Sequence, residues 1–414
     1  MRKIILLLPS LCCVVSAWAQ ISLDAYREMV YTYSTEMMNA EAATSRARSN
    51  VRIAYSDFLP SLSASGTFTT DFRRSGDADL WGFTLQPQIE QLLYGGGAVR
   101  AAYRQAQAEY EYSLSGQEQT RLDMRYAADY AYWTISAMKL YVAATDEYVG
   151  FISALYRVVE ERFREGYVAK SDMLQVEARL SEARYSQIAM KNNYEIALHR
   201  FNNLLGIEGT EEVELTNTIL DTIPMPRRVT VDEMFSRRPD MRMAELSIRA
   251  AEQGVNVARA QYNPRLTAGV RGSWQTYSPN KTGHTYLDGS MMLGVNIPIF
   301  HWGERKHAVA EAQAEMRIKR NLWEQIRDDV EQEEADGWSA LTSSYQQMQS
   351  SLRNLDIAGE NLSISTYAYQ EGQATVLDVL QAQISWIQIY TNAITARFNY
   401  AVAVSAYMRL TAAD

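Results

Sequence analysis

The period of apolar positions along the chain changes several times, and each change predicts a new element. Long stretches step by three and four residues, as one face of a helix does. Six such stretches run from about Leu23 to Asp57, Ala98 to Glu165, Ser171 to Leu205, Pro239 to Asn263, Glu304 to Glu371 and Thr375 to Leu410. Two of them would reach roughly 100 Å at 1.5 Å per residue. The sequence therefore predicts a mainly α-helical protein with unusually long helices.

The last helix carries the clearest heptad seam, which is typical of coiled-coil packing. Its members are Leu377, Leu380, Ile384, Ile387, Thr391, Ile394, Phe398 and Ala401. A matching seam in the helix after Ser171 consists of Met173, Val176, Leu180, Ala183, Gln187, Met190, Tyr194, Ala197, Phe201 and Leu204. Both helices are therefore predicted to pack along their whole lengths against other helices.

Between the helices the period falls to two, which predicts four β-strands. These lie near residues 61–72, 80–91, 265–277 and 286–299. Each has one apolar and one polar face and about ten residues, the length that a tilted membrane strand needs. The polar segments from Asp71 to Asp79 and from Tyr277 to Thr285 are predicted loops.

The two halves of the chain repeat one another. Glu165-Gly166 followed by Asp172 reappears about 206 residues later as Glu371-Gly372 followed by Asp378. Each glycine suits the left-handed position that ends a helix, and each aspartate falls in the first turn of the next helix. The repeats are therefore residues 20–206 and 239–414, and each contains a helical hairpin. The segment 207–238 joins them and is predicted to form a belt around the middle of the helices.

Residues 1–19 have the pattern of a secretory signal peptide. A basic start and a short apolar run precede the small-residue cleavage pattern Ala17-Trp18-Ala19. Cys12 and Cys13, the two cysteines of the chain, would leave with it. Leu11 before Cys12 disfavours a lipid anchor, which needs a small residue there. The rest of the chain is acidic, with 49 Asp and Glu in the full sequence against 40 Lys and Arg, which disfavours a nucleic-acid partner.

The sequence contains no recognisable catalytic arrangement. The four histidines are scattered, and His301 and His307 lack the spacing of helical metal ligands. Gly95-Gly96-Gly97 lacks the spacing of a nucleotide-binding loop, so a bend between strand and helix is the simpler interpretation. We therefore expect no enzyme activity, no cofactor and no metal site.

Four strands cannot close a barrel, and open sheet edges are not viable in lipid. Oligomerisation must therefore supply the missing strands, and three copies would give twelve. Twelve is an acceptable even number of strands for a membrane barrel, so the sequence is compatible with a homotrimer.

With these elements in order, the chain resembles the TolC family of outer-membrane efflux proteins over essentially all of its length after the leader. The resemblance rests on the junctions at Phe58-Leu59-Pro60-Ser61-Leu62 and Pro298-Ile299-Phe300-His301-Trp302-Gly303, on Arg238-Pro239-Asp240, and on the two Glu-Gly tips. It implies a TolC-like fold in which three chains share a 12-stranded outer-membrane β-barrel that continues into a helical α-barrel across the periplasm.

The resemblance also implies function and partners. The chain would be a passive conduit of a tripartite efflux or secretion system in a Gram-negative bacterium. A periplasmic adaptor and an inner-membrane pump of RND or ABC type would be its partners. The adaptor would dock at the tips, which are Glu165, Gly166, Tyr167, Val168, Glu371, Gly372, Gln373 and Ala374.

The family closes its periplasmic entrance with polar side chains, and four positions here correspond to that gate. They are Asp172, Tyr369, Asp378 and Gln381. Ala374 stands where the family has an arginine, so the family's salt-bridged lock is incomplete. Asp172, Asp378 and Tyr369 also have a plainer explanation, because a first-turn aspartate stabilises its own helix and a tyrosine is a common packing residue.

Two other functional classes stay open at this stage. A periplasmic coiled-coil scaffold without a pore would need the helices but not the amphipathic strands. An envelope hydrolase would need a catalytic set that the sequence does not show. Within the export class, a type I duct for proteins or peptides and a small-molecule efflux channel have the same sequence pattern.

Overall fold

A computed structural model describes residues 20–70, 72, 81–207, 213–276 and 286–413. The predicted signal peptide and nearly all of the two predicted strand-connecting loops lie outside these residues. The described helices are α1 (Leu23–Tyr33), α2 (Thr35–Ser56), α3 (Ala98–Arg164), α4 (Lys170–Leu204), α5 (Val231–Arg237), α6 (Pro239–Ala260), α7 (Glu304–Gln370) and α8 (Val376–Leu410). The described strands are β1 (Ser61–Thr70), β2 (Trp81–Gly95), β3 (Arg265–Gln275) and β4 (Tyr286–Asn296). The mainly helical fold with four strands is confirmed.

The chain folds as two compact units that do not follow the sequence repeats. One unit, the helical unit, comprises residues 1–37, 121–229 and 333–414. The other, the sheet unit, comprises residues 38–120 and 230–332. Each unit therefore draws on both repeats, and α3 and α7 each contribute residues to both units.

The sheet unit holds one antiparallel sheet in the order β1-β2-β3-β4. Its register separates the side chains by polarity, because alternate residues of a strand point to opposite faces. One cross-strand row is Leu62, Ile89, Val270 and Met291, and the neighbouring row on the other face is Ser63, Gln88, Arg271 and Ser290. On the polar face Arg271 Nε donates to Gln88 Oε1 at 3.1 Å. The sheet thus has one apolar and one polar face.

The apolar face of the sheet has no cover within the chain. The side chains of Leu62 and Met291 are 76% and 85% exposed. Among the described residues, β1 and β4 each pair with a neighbour on one side only. Two edges and one apolar face are therefore left for something outside the single chain.

The helical unit is held by a cluster of aromatic side chains that joins its first helix to α3 and α4. Tyr26 is fully buried and stacks on Phe201 with ring centroids 4.1 Å apart. Tyr26 Oη donates to the Phe201 carbonyl at 3.0 Å, which satisfies the buried hydroxyl. Tyr132 packs against both rings. Beside the cluster, Asp129 accepts two hydrogen bonds from Arg27 at 2.6 and 2.7 Å.

The predicted heptad seams are present, but α8 buries more than one seam. In α4 the residues Val176, Leu180, Ala183, Ala197 and Phe201 of the predicted seam are buried. In α8 Leu380, Ile394 and Ala401 are buried, whereas Leu377 is 54% exposed. A second seam that the sequence analysis did not identify is also buried, and it includes Val376, Val379, Gln383, Trp386, Ala393, Tyr400, Val404 and Tyr407. Because this second seam includes a glutamine and two tyrosines, it does not appear in the pattern of apolar residues along the sequence.

The prediction of a single helix from Leu23 to Asp57 is wrong, because the helix is interrupted at Ser34. This residue is extended, with φ −64° and ψ 123°. Its N–H still donates to the Val30 carbonyl at 2.8 Å, while its Oγ accepts from the Met37 N–H at 3.3 Å. Ser34 therefore ends α1 and caps α2, the role for which serine is preferred.

Candidate entrance site at the helical hairpin tips

Both hairpin tips end their first helix with the same hydrogen-bond pattern. Gly166 and Gly372 have φ of +82° and +76°. At the first tip the Gly166 N–H donates to the Phe163 carbonyl and the Tyr167 N–H donates to the Arg162 carbonyl. The second tip repeats both bonds with the N–H groups of Gly372 and Gln373. This pair of bonds is the Schellman motif, which a glycine permits because it has no Cβ.

The returning helices begin differently at the two tips. Thr375 caps α8 in a reciprocal capping box, with its Oγ1 accepting from the Asp378 N–H at 3.3 Å. Asp378 Oδ2 in turn accepts from the Thr375 N–H at 2.8 Å. At the first tip Ala169 stands at the cap position and makes no side-chain bond. The repeat therefore preserves the turn at the tip but only one of the two caps.

The four predicted gate residues are distributed over different surroundings. Asp378 and Gln381 line a cavity of about 590 Å³ between α4 and α8, together with Arg179 and Glu182. Asp172 lies in the first turn of α4, and its Oδ1 accepts from Ser171 Oγ at 3.3 Å. Tyr369 is buried in the apolar cluster near the tips. The structure brings Asp378 and Gln381 together and places the other two elsewhere.

The electrostatics of Asp378 follow from its capping role. The Thr375 side chain donates to its carboxylate at 2.7 Å, and the Thr375 N–H donates to the same oxygen. These hydrogen bonds lower the pKa of Asp378, the side-chain bond more than the backbone bond. Asp378 is therefore a stable anion at neutral pH on an exposed part of the helix.

Tyr369 contacts an arginine from the other hairpin that the sequence analysis did not single out. The Arg162 guanidinium carbon lies 4.8 Å from the centre of the Tyr369 ring. Arg162 Nη2 also donates to the Gln370 carbonyl at 3.3 Å. Gln370 is the last residue of α7, where carbonyl groups lack helical partners and a cation is favourable. Arg162 thus links the C-terminal ends of α3 and α7.

The predicted docking residues divide into exposed and packed side chains. Tyr167 is 80% exposed, and Glu165, Glu371 and Gln373 are also exposed. Val168 and Ala374, in contrast, pack against the buried cluster that contains Tyr369. The surface that each tip offers is therefore mostly polar, with one large aromatic ring.

The segment before α5 crosses three helices of the helical unit. Within the described residues 213–229, the Ile219 N–H donates to Ser136 Oγ of α3 at 3.0 Å. From α8, Tyr400 Oη donates to the Ile223 carbonyl at 3.1 Å and Tyr407 Oη accepts from the Val229 N–H at 3.0 Å. These bonds satisfy backbone groups of a segment that has no regular secondary structure.

An ion pair fastens the same segment to α7. Arg228 donates to both carboxylate oxygens of Glu334 at 2.9 and 2.8 Å. Glu334 belongs to an acidic run from Asp328 to Asp336, a pattern that is typical of a solvated helix face. Glu334 departs from that pattern, because it is only 4% exposed. The hydrogen bond from Arg228 lowers the pKa of Glu334, against the opposing effect of burial.

No group of three or more His, Cys, Asp or Glu side chains in the described part of the chain is placed to hold a metal ion. Across residues 20–413 with their gaps, no described helix is both long and apolar enough to cross a membrane.

A family comparison decides what these elements belong to. The family described as "Outer membrane efflux protein" matches residues 32–207 and 230–413, which is most of the chain. The chain belongs to this family. Its members are channel components of efflux systems, so the protein is an outer-membrane efflux channel subunit and not an enzyme.

Individual relatives agree with the family assignment. The chain is 25% identical over 387 residues to the pyoverdine export outer membrane protein OpmQ of Pseudomonas aeruginosa, covering 89% of this chain and 80% of that protein. It is 23% identical to the outer membrane protein TolC of Escherichia coli, covering 89% and 77%. A crystal structure of CusC superposes with a TM-score of 0.83 at 17% identity, covering 95% of this chain and 92% of that one. The resemblance to the TolC family is thus confirmed.

Proposed function

We propose that three copies of this chain assemble into one outer-membrane β-barrel of twelve strands with a helical duct on its periplasmic side. The observation that carries the proposal is the four-stranded sheet with an exposed apolar face and two edge strands. In lipid, each unpaired backbone group costs several kcal/mol, so an open sheet cannot persist there. Further copies of the same sheet would pair both edges, and the apolar face would meet lipid.

Exposed apolar positions on the long helices support assembly of the helical part as well. On α7, Ile357, Ile364 and Tyr367 are 59%, 60% and 65% exposed and recur at seven and three residues. On α4, Tyr185 and Ile188 are exposed three residues apart. Apolar positions at this spacing form the seams by which helices of different chains pack.

The entrance of the duct is proposed to lie at the hairpin tips, with Asp172, Tyr369, Asp378 and Gln381 around it. Three copies of Asp378 near one axis would attract cations, because like charges around a narrow passage sum their fields. Opening would be a movement of α4 and α8 relative to their neighbours. A periplasmic adaptor at the tips would drive it, and an inner-membrane pump would supply the energy.

The experiment is electrical and uses purified, full-length processed protein in planar bilayers. We expect trimers by native mass spectrometry and stepwise currents with a preference for K⁺ over Cl⁻. Asp378→Asn should reduce that preference, because the asparagine side-chain oxygen can still accept from the Thr375 N–H in the capping box but carries no charge. Glu371→Gln removes an exposed carboxylate that does not line the cavity of Asp378, so it is the matched control and should leave the preference nearly unchanged.

Two results would contradict the proposal. One is protein that stays monomeric, or remains soluble without detergent as a coiled-coil scaffold would. The other is correctly inserted trimer that leaves the bilayer electrically silent.

A further inference from the structure

Trp302 stands in the turn that leads from β4 into α7, and its backbone conformation is unusual for so large a residue. Its φ is +46°, in the left-handed region that bulky side chains rarely adopt. The side chain is nevertheless 89% exposed, and its indole meets the Phe300 ring with centroids 4.9 Å apart. Backbone strain persists where the surroundings hold it, and the single chain leaves most of this side chain uncovered.

The internal repeat supplies a template for this turn. Trp302 corresponds to Gly96, in the turn that leads from β2 into α3. The two backbones follow the same course, because Gly96 has φ +66° and the next residue in each turn is a glycine at +95° or +82°. The first turn is covered within the chain, since β2 pairs with β3 and so meets the junction between α6 and β3. What covers Gly96 therefore predicts what covers Trp302.

Gly96 is closely approached by the junction between α6 and β3. Asn263 Nδ2 donates to the Gly96 carbonyl at 2.9 Å. A Cβ added at Gly96 would lie 2.5 Å from Asn263 Cβ and 2.7 Å from the Ala260 carbonyl oxygen. A side chain at this position is therefore excluded by close contact as well as by backbone conformation.

The junction that corresponds for Trp302 belongs to another copy of the chain. In the repeat β4 corresponds to β2 and β1 corresponds to β3, and β1 and β4 are the two edges of the described sheet. The pairing of β2 with β3 thus predicts that β4 pairs with β1 of a neighbouring copy, along a line that we call the barrel seam. In that register Asn296 stands opposite Ser65, as Glu90 stands opposite Gly269 within the chain.

Leu59 takes the place of Asn263 at the barrel seam. Leu59 and the adjacent Phe58 are 53% and 41% exposed in the single chain. A leucine cannot donate the hydrogen bond that Gly96 receives, but it can pack against an indole. Both sides of the contact have therefore changed together, from glycine with asparagine to tryptophan with leucine. Because two Cβ atoms cannot approach to 2.5 Å, the neighbouring junction must stand further away than the one beside Gly96, and the indole fills that space.

We propose that Trp302 anchors each subunit to the next at the base of the barrel seam, with its indole packed on Phe58 and Leu59 of the neighbouring copy. The inference rests on the proposed trimeric barrel and names the side chains that hold its subunits together. Large aromatic residues buried at an interface carry much of its binding energy. Lipid would also cover an exposed indole, but a lipid contact gives no reason for the joint replacement of glycine and asparagine.

The register of the barrel seam is tested by disulfide crosslinking of the assembled, processed protein in lipid nanodiscs. Both cysteines of the sequence lie in the predicted signal peptide, so the processed chain carries only introduced ones. Asn296→Cys combined with Ser65→Cys should crosslink subunits, because opposite residues of an antiparallel pair have Cα atoms about 4.5–5.5 Å apart. Asn296→Cys combined with Ser63→Cys is the matched control and should crosslink far less. Crosslinking of the control instead, or of neither pair, would overturn the predicted seam.

The anchoring role is tested by the rate at which purified trimers dissociate in detergent. Trp302→Gly should accelerate dissociation about tenfold or more, the effect of truncating a central interface tryptophan. The helical content of the subunit should stay the same, because glycine adopts a positive φ without strain. Ile299→Gly is the matched control, since Ile299 is 91% exposed in the same turn. It corresponds to Leu93, at the irregularity of the register between β2 and β3, and should leave the rate nearly unchanged.

A reciprocal substitution separates a contact between subunits from a contact with lipid. Leu59→Asn should also accelerate dissociation, because it places an amide against the indole. Combined with Trp302→Gly, it recreates at the barrel seam the contact of Gly96 with Asn263. The double variant should therefore dissociate more slowly than either single variant.

Three results would overturn the anchoring role. Trp302→Gly might dissociate at the unsubstituted rate, Ile299→Gly could accelerate dissociation equally, as a lipid contact predicts, or the double variant could dissociate faster than both single variants. A failure of the proposed trimer would be visible in the unsubstituted protein, before any variant is compared. A seam that is held by other residues would leave trimers and their currents intact and would be visible only in these variants.

Discussion

At the scale of single residues, Arg162 has the most informative position near the hairpin tips. It stacks on Tyr369 and donates to the Gln370 carbonyl, so one side chain makes contacts that join two hairpins. The family pattern has an arginine at the position of Ala374, and none is present there. A cation that reaches the second tip from the first offers a different way to hold the two hairpins together.

Replacing Arg162 with methionine keeps an unbranched apolar side chain and removes the charged guanidinium group. We expect a local loss of about 1 kcal/mol from the cation–π contact and the hydrogen bond. Amide hydrogen exchange should become faster at the end of α7, from residue 370 to 373. Arg164→Met is the control, because Arg164 forms an exposed helical pair with Glu160, and such pairs contribute little to stability. Equal exchange in the two variants would refute a linking role for Arg162.

The ion pair of Glu334 predicts how the stability of the protein depends on pH. Its pKa is lowered from an ordinary 4.5 by the hydrogen bond from Arg228. A lowered carboxyl pKa stabilises the fold above the ordinary value, and this stabilisation is lost as pH falls through the lowered pKa. The melting temperature should therefore decrease when the pH is lowered below about 4.5. Glu334→Gln should lower the melting temperature at neutral pH and make it less dependent on pH in the acid range.

The control for this titration lies three residues earlier on the same helix. Glu331 is exposed, so Glu331→Gln should leave the acid dependence as it is in the unsubstituted protein. Identical acid curves for Glu334→Gln and the unsubstituted protein would show that the ion pair does not contribute to stability.

The sequence showed which residues carry suitable chemistry but not which of them meet. Asp378 was predicted in the first turn of a helix, because a helix start is a local property. Arg162 and Arg228 could not be singled out, since their partners lie far away in sequence and many other arginines have similar neighbours. The proposed gate residues likewise remain predictions, because neighbouring chains decide what they face.

At the scale of elements, the two hairpins offer an internal comparison of helix caps. Thr375 caps α8, and Ala169 leaves α4 without a side-chain cap. Thr375→Ala should destabilise the first turn of α8 by about 1 kcal/mol. Ala169→Thr should stabilise the first turn of α4 by roughly 0.5–1 kcal/mol, because Asp172 stands at the position that completes a capping box.

Hydrogen exchange of the first amides in α4 and α8 measures both effects. The two substitutions should change the exchange rates in opposite directions and each in its own helix. If Ala169→Thr left the exchange rates in α4 unchanged, the backbone at the first tip could not accommodate a side-chain cap, although its glycine turn is the same as that of the second tip.

Elements were predictable wherever one period continued for many residues. The long helices and the four strands satisfy this condition, and their observed bounds lie close to the predicted ones. The break at Ser34 and the short helix α5 were missed, although each has a capping signal. Thr230 accepts from the Glu233 N–H at 3.3 Å to cap α5, and threonine followed by glutamate at the third position is the capping-box pattern. Seven residues are too few to show a helical period.

At the scale of the whole molecule, the repeat predicted the order of elements but not their grouping. Residues 38–120 and 230–332, taken from different repeats, fold into one unit. The reason is that strands must pair with strands and helix seams with helix seams, so corresponding parts of the two copies associate. A pattern along the chain reports local periodicity, whereas the partner of each element depends on long-range packing.

Two adjacent methionines in β4 allow a direct test of which face of the sheet meets lipid. Met291 belongs to the apolar row with Leu62, and Met292 lies on the opposite face in a row with Glu90. Met291→Lys should cost about 2–4 kcal/mol, the penalty for a lysine facing the middle of a bilayer. Met292→Lys places the same charge on the opposite face, in the row that contains Glu90 two strands away, and should cost far less.

The measurement is guanidinium unfolding of each variant from lipid vesicles, with intact trimer as the second readout. The two substitutions are identical in chemistry and adjacent in sequence, so a difference between them can arise only from the face that each residue occupies. The chain cannot bury the apolar row by itself, because Met291 and Leu62 are exposed in the isolated subunit. Equal stability of the two variants would mean that neither face of the sheet meets lipid, and the argument for a shared barrel would fail with it.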